Sequence, residues 1–156
     1  MSSKSSQTVL SYLEGFKTLS PDAFLPFLAP TALLRLAPAS MSPPGPMTLE
    51  AFTNHLIGLR EFLERFPIYP KEIFDSDEKG HVTIWATSEA TFKEECKDDG
   101  LSEDEWAFKG EYIFIFSLDE SREKIVDIVE FLDSKSALRF GELMVRAHKN
   151  LQVKRN

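Results

Sequence analysis

All nine prolines of this 156-residue chain lie at or before Pro70, and none follows. Proline has no amide hydrogen and a fixed φ, so it breaks helix interiors and is kept out of central strands. The first seventy residues must therefore be short elements joined by turns. The rest of the chain is free to form long strands and a long final helix. No repeat or linker divides the sequence, and its length is that of one domain. We read residues 1–156 as a single domain with its core over 7–150 and flexible ends at 1–6 and 152–156.

Hydrophobic spacing supplies the elements. Val9, Leu10, Leu13 and Phe16 recur at helical intervals and predict a helix over 7–19. Ser20, Pro21 and Asp22 open a short second helix that runs to about 28. Residues 31–36 read as a short strand, with Arg35 in an otherwise apolar run. Thr48 caps a third helix, in which Leu49, Phe52, Leu56, Leu59, Leu63 and Phe66 step by 3, 4, 3, 4, 3 as far as Pro67. His55 falls inside its apolar arc. From Ile68 the period becomes two, which predicts strands over 68–74, 81–92, 106–118 and 124–132. Asp133 and Ser134 cap a final helix. Short polar connections at 76–80 and 119–122 read as hairpins, so the class is α+β with an antiparallel sheet. The strand 106–118 carries large apolar groups on both faces, so both faces need cover: helices on one, a second subunit on the other. The proline-rich stretch 38–46 reads as a loop long enough to act as a lid.

Composition removes several functions. A net charge of −7 argues against nucleic acid and anionic membrane partners. Cys96 is alone, so there is neither an internal disulfide nor a cysteine metal site. His55, His81 and His148 fall on separate elements without ligand spacing, and the acidic segment 94–105 lacks a calcium-loop pattern. Dinucleotide, phosphate-loop, esterase-elbow and zinc-protease motifs are missing. No signal-peptide apolar region and no membrane-length apolar run is found, so a cytoplasmic protein is expected.

Two segments carry a family likeness. Phe108-Lys109-Gly110-Glu111-Tyr112, continued by Ile113-Phe114-Ile115-Phe116, resembles the YRNEY-plus-apolar strand of fungal SnoaL-like proteins, with Gly110 where that pattern has asparagine. Lys124-Ile125-Val126-Asp127-Ile128-Val129-Glu130-Phe131-Leu132-Asp133-Ser134 is similar to their gKIvxixEFvDS ending. The likeness, to a branch of the nuclear transport factor 2-like superfamily, covers about residues 7–150. It implies a curved antiparallel sheet wrapped around three to four helices, forming a cone with an internal pocket. It also implies the activity of polyketide cyclases and meroterpenoid isomerases: a small lipophilic, oxygenated substrate and proton transfer with no metal and no cofactor.

Such chemistry needs a base in an apolar pocket and a donor for the oxygen on which charge develops. The candidate bases are His55, Glu111 and Asp127, with Glu130 on the opposite face of the last strand. Only one of Asp127 and Glu130 can face the pocket, and the pattern does not say which. Glu111 is equally readable as an ion-pair partner of Lys109 or Arg35. Arg35 is either an inward cation for a substrate oxygen or a solvent-facing residue. Tyr112, Trp85, Phe52 and Phe74 are candidate wall residues, with Tyr112 able to donate a hydrogen bond. A homodimer through the outer sheet face is expected. Two other functions remain open: a non-catalytic binding protein of the same fold, and a dehydratase or hydrolase, which would need His55 close to Asp127 or Glu130.

Overall fold

The computed structural model describes residues 2–156. Helix α1 spans Lys4–Glu14 and starts three residues earlier than the apolar spacing predicts. The Ser3 hydroxyl caps it by accepting from the Ser6 amide at 3.0 Å. The Ser3 and Ser6 hydroxyls both donate to the Asp75 carboxylate, and the Ser5 amide donates to Asp77 at 3.1 Å. Polar contacts distant in sequence, invisible to periodicity, thus fix this end.

A single turn, α2 (Pro21–Phe24), leads into strand β1 (Leu28–Ala37). Helix α3 (Leu49–Leu59) follows, capped by Thr48 as expected. It stops well short of Pro67, because the chain leaves the helix to pair with a strand. Residues Leu63–Arg65 form β2, in which Leu63 pairs with Phe92 and Arg65 with Thr91. Leu63 and Phe66 do pack inward, but from extended backbone. Apolar residues spaced by three and four cannot distinguish these two routes to one core.

Strands β3 (Ile68–Ser76), β4 (His81–Phe92), β5 (Phe108–Leu118) and β6 (Ile125–Leu132) follow, and helix α5 (Ser134–Arg155) closes the chain. Between β4 and β5 lies a one-turn helix, α4 (Glu103–Trp106). Ser102 and Glu105 cap each other's backbone amides there at 3.2 Å, so Trp106 belongs to this turn and not to the strand. The sheet runs β1-β6-β5-β4-β2, with β3 also paired to β4. It is mixed, not wholly antiparallel: β1 lies parallel to β6, with Arg35 opposite Val129 and Leu36 opposite Glu130.

The sheet curls around α1, α2 and α3. On its concave side, Phe114 and Phe116 are fully buried, and Tyr112, Phe114 and Phe116 stack along one face of β5 with centroids 5.4 and 5.8 Å apart. Tyr12, Phe16, Phe24 and Phe52 pack edge to face with one another and plug the narrow end. Asp98 ties the acidic loop to α5 through a two-pronged bond from Arg146 (2.8 and 2.7 Å) and one from Asn150 (2.7 Å). These bonds hold its carboxyl well below the usual range. Among the described residues, no helix is long and apolar enough to cross a membrane.

Candidate functional site

At the wide end the core is hollow. A cavity of about 350 Å³ lies between the concave face, α3, the 38–46 loop and the start of α5. That volume lies within the range of small-molecule sites. Phe16, Leu34, Met47, Phe66, Phe108 and Phe140 give it apolar walls. The loop spans its mouth with Met41, Ser42, Pro43 and Pro44, and is pinned where Leu34 and Met47 exchange backbone bonds at 2.9 and 2.8 Å.

Few ionisable groups border this space. Glu130 stands opposite Leu36 on β1 and Phe114 on β5, so pleat alternation turns it inward among apolar neighbours. Burial alone raises its carboxyl pKa from 4.5 to about 7, with no hydrogen bond to offset it. It still touches the cavity, so it is half-buried by solvent exposure. Tyr112 borders the same space, and its hydroxyl lies 2.7 Å from that of Ser88 on β4. Burial pushes the Tyr112 phenol up, and the nearby Glu130 charge adds to this, so it stays a donor. Tyr12, fully buried in α1, has a hydroxyl without a hydrogen-bond partner among the described residues and is pushed up by burial and then by the Glu130 charge. His55 projects from α3 at the mouth, exposed to solvent on one side, and partial burial lowers its imidazolium pKa. Asp133 and Ser136 form a polar rim, and bonds from Ser136 and backbone amides hold the Asp133 carboxyl low. Among the described residues, no three His, Cys, Asp or Glu side chains converge to hold a metal.

The candidates from the sequence thus separate into two groups. His55, Phe52, Tyr112 and Glu130 meet at the cavity. Arg35, Asp127, Trp85 and Phe74 do not. Arg35 grips Asp127 on the outer face through Nε–H to Oδ1 at 3.2 Å and an Nη2–H to Oδ2 at 2.7 Å. Glu111 borders the cavity along the strand, but its carboxylate accepts the Trp85 indole N–H at 2.6 Å on the outer surface. Lys71 sits over that indole at 4.2 Å, and Phe74 is 58% exposed. The reason is register. Tyr112 faces in, so Glu111, Ile113 and Ile115 face out; on β6 Glu130 pairs with the inward Phe114 and Asp127 with Ser117, so alternation puts Glu130 in and Asp127 out. No hydrogen bond joins His55 to Asp127 or Glu130, and Asp127 lies on the far side of the sheet. Ser88, Tyr12 and Ser136 were not legible as site residues. Ser136 had a signal, since it lies three residues after the capping Asp133.

No family model matches the chain. Austinoid biosynthesis clusters protein H of Penicillium brasilianum is 28% identical to it over 141 residues, which is 90% of each chain. The likeness runs along nearly the whole of both chains. Among solved structures, AusH from Aspergillus nidulans superposes with a TM-score of 0.71 at 22% identity, over 84% of both chains. The BvnE pinacolase from Penicillium brevicompactum superposes with a TM-score of 0.78 at 18% identity, over 93% of this chain and 96% of its own. The fold is nuclear transport factor 2-like, as the SnoaL-like resemblance implied.

Proposed function

We propose that this protein is a cofactor-free isomerase or cyclase of fungal secondary metabolism, acting on an oxygenated polyketide- or terpenoid-type intermediate, with Glu130 as the group that moves the proton. One observation carries the reading: an unpaired carboxyl with a pKa of about 7 faces an apolar cavity. A base works best when its pKa lies near the working pH. The likeness to a protein named for austinoid biosynthesis and to a pinacolase supports a place in fungal secondary metabolism.

In this mechanism the apolar walls hold the carbon skeleton and exclude water. The Glu130 carboxylate takes a proton from a carbon beside a carbonyl. The Tyr112 phenol donates to the carbonyl oxygen as it gains negative charge. Neutral Glu130 then returns the proton to a different atom, and a shifted double bond or a closed ring results. Neutral His55 at the mouth accepts a hydrogen bond from a second substrate oxygen.

The protein is further proposed to work as a homodimer through the outer face of the sheet. Phe74, Thr83, Ile115, Val129 and Arg35 form one cross-strand row there, with Ile113 and Phe131 beside it. Ile115 and Phe131 are 42% and 48% exposed, an apolar surface that asks for cover.

The proton-transfer step is testable without the natural substrate. In deuterium oxide, β-tetralone exchanges the protons beside its carbonyl, and proton NMR follows the loss. The protein is expected to accelerate this exchange, and Glu130→Gln to abolish the acceleration. Equal rates with and without the wild-type protein would remove the acid–base reading.

A further inference from the structure

Ser88 and Gly110 are direct partners across β4 and β5, and Tyr112 follows Gly110 on the same face two residues on. The Tyr112 ring leans back along its strand so that its hydroxyl lies above Gly110 and 2.7 Å from the Ser88 oxygen. A Cβ at position 110 would stand 2.5 Å from the Tyr112 hydroxyl and 2.8 Å from the Ser88 Oγ, both inside contact distance. The missing side chain is therefore the space in which the pair of hydroxyls meets. Gly110 also borders the cavity, whereas Ser88 does not and is 1% exposed.

Two hydroxyls carry two hydrogens, and the bond between them uses one. If Tyr112 donated, the spare hydrogen would be on Ser88, sealed among buried groups with no acceptor. If Ser88 donates, the spare hydrogen is on Tyr112, at the cavity wall. Burial penalises an unpaired donor, so the second arrangement is favoured. An oxygen that accepts one hydrogen bond also becomes a stronger donor of its own hydrogen.

We infer that Ser88 is a positioning residue, whose hydroxyl donates to Tyr112 and aims the Tyr112 hydrogen at a ligand carbonyl, and that Gly110 is a specificity-determining residue that leaves room for this arrangement. The inference rests on the cavity being the ligand site. It goes further by assigning the orientation of the donor to a residue that never touches the ligand.

The test uses prodan, an apolar naphthyl ketone dye whose emission moves to the red when its carbonyl accepts a hydrogen bond. Prodan is expected to bind the wild-type protein with red-shifted emission. Tyr112→Phe should move the emission to the blue and weaken binding about three- to tenfold, the usual range for one lost hydrogen bond. Ser88→Ala should give the same blue shift and a smaller loss. In the Tyr112→Phe background, Ser88→Ala should cost nothing more, since Ser88 acts only through Tyr112. Gly110→Ala, checked by circular dichroism for an intact fold, should displace the ring and reproduce the blue shift.

Wild-type emission and affinity in Ser88→Ala would overturn the positioning role while leaving the cavity reading intact. Additive losses in the double variant would overturn it too. Failure of the wild-type protein to bind prodan would overturn the inference together with the ligand-site reading beneath it.

Discussion

The two faces of one sheet treat the same kind of residue in opposite ways. On the convex face, Asp127 is gripped by Arg35 and Glu111 accepts from Trp85, both near solvent. On the concave face, Glu130, three residues after Asp127, has no ion-pair partner among the described residues, and burial raises its pKa to about 7. Burial in a cavity disfavours the charged form of a carboxyl and brings its proton exchange towards neutrality. The two carboxyls differ in what surrounds them, and strand alternation decides which of them faces the cavity.

The largest expected effect is on the concave side. Glu130→Gln should lower proton exchange by about a hundred- to ten-thousandfold, the range for loss of a general base, while circular dichroism remains unchanged. In the wild type, the exchange rate should rise with pH and level off above about pH 7. Next comes stability. Because folding raises the Glu130 pKa, the folded state holds this proton more tightly than the unfolded chain. Stability is therefore highest below the ordinary carboxyl value and is lost as pH rises through about 7. Glu130→Gln should recover up to about 3 kcal/mol in urea melts at about pH 8.5, and little at about pH 4. Equal gains at both values would show that the carboxyl is not held neutral. Third is the convex apolar row. Ile115→Lys should turn a dimer into a monomer by sedimentation and leave proton exchange in place. Smallest is the convex ion pair. Asp127→Asn should leave exchange and melting temperature close to wild type, since exposed pairs contribute little. A large loss of exchange in that variant would erase the distinction between the faces.

Much of the fold was legible because local rules and packing agree. The Thr48 cap and the period-two strands found their elements, whereas proline did not keep the first seventy residues to short elements, since β1 runs for ten residues through Pro30. The misreadings arose where distant pairing overrides local pattern. Leu63 is drawn out of a helical stripe by Phe92, and β1 joins β6 in parallel although no hairpin announces it. Within the site, Tyr112 and His55 could be named from the residues, but the choice between Asp127 and Glu130 could not. Period-two alternation says that they oppose each other without saying which is inside, and β5 is apolar on both faces. Ser88 was silent because a serine in a strand gains meaning only from its neighbour across the ladder. Gly110, read first as a departure from a family pattern, has a positive role once the Tyr112 hydroxyl is seen above it.

The parallel seam between β1 and β6 also has a bearing on synthesis. One flank of the hollow emerges from the ribosome early and must wait, its edge unpaired, until nearly the whole polypeptide has been made, because Leu36 meets its neighbour Glu130 only then. The perturbed carboxyl and the compartment that perturbs it therefore come together late. A nascent or truncated chain that lacks the last strand holds neither.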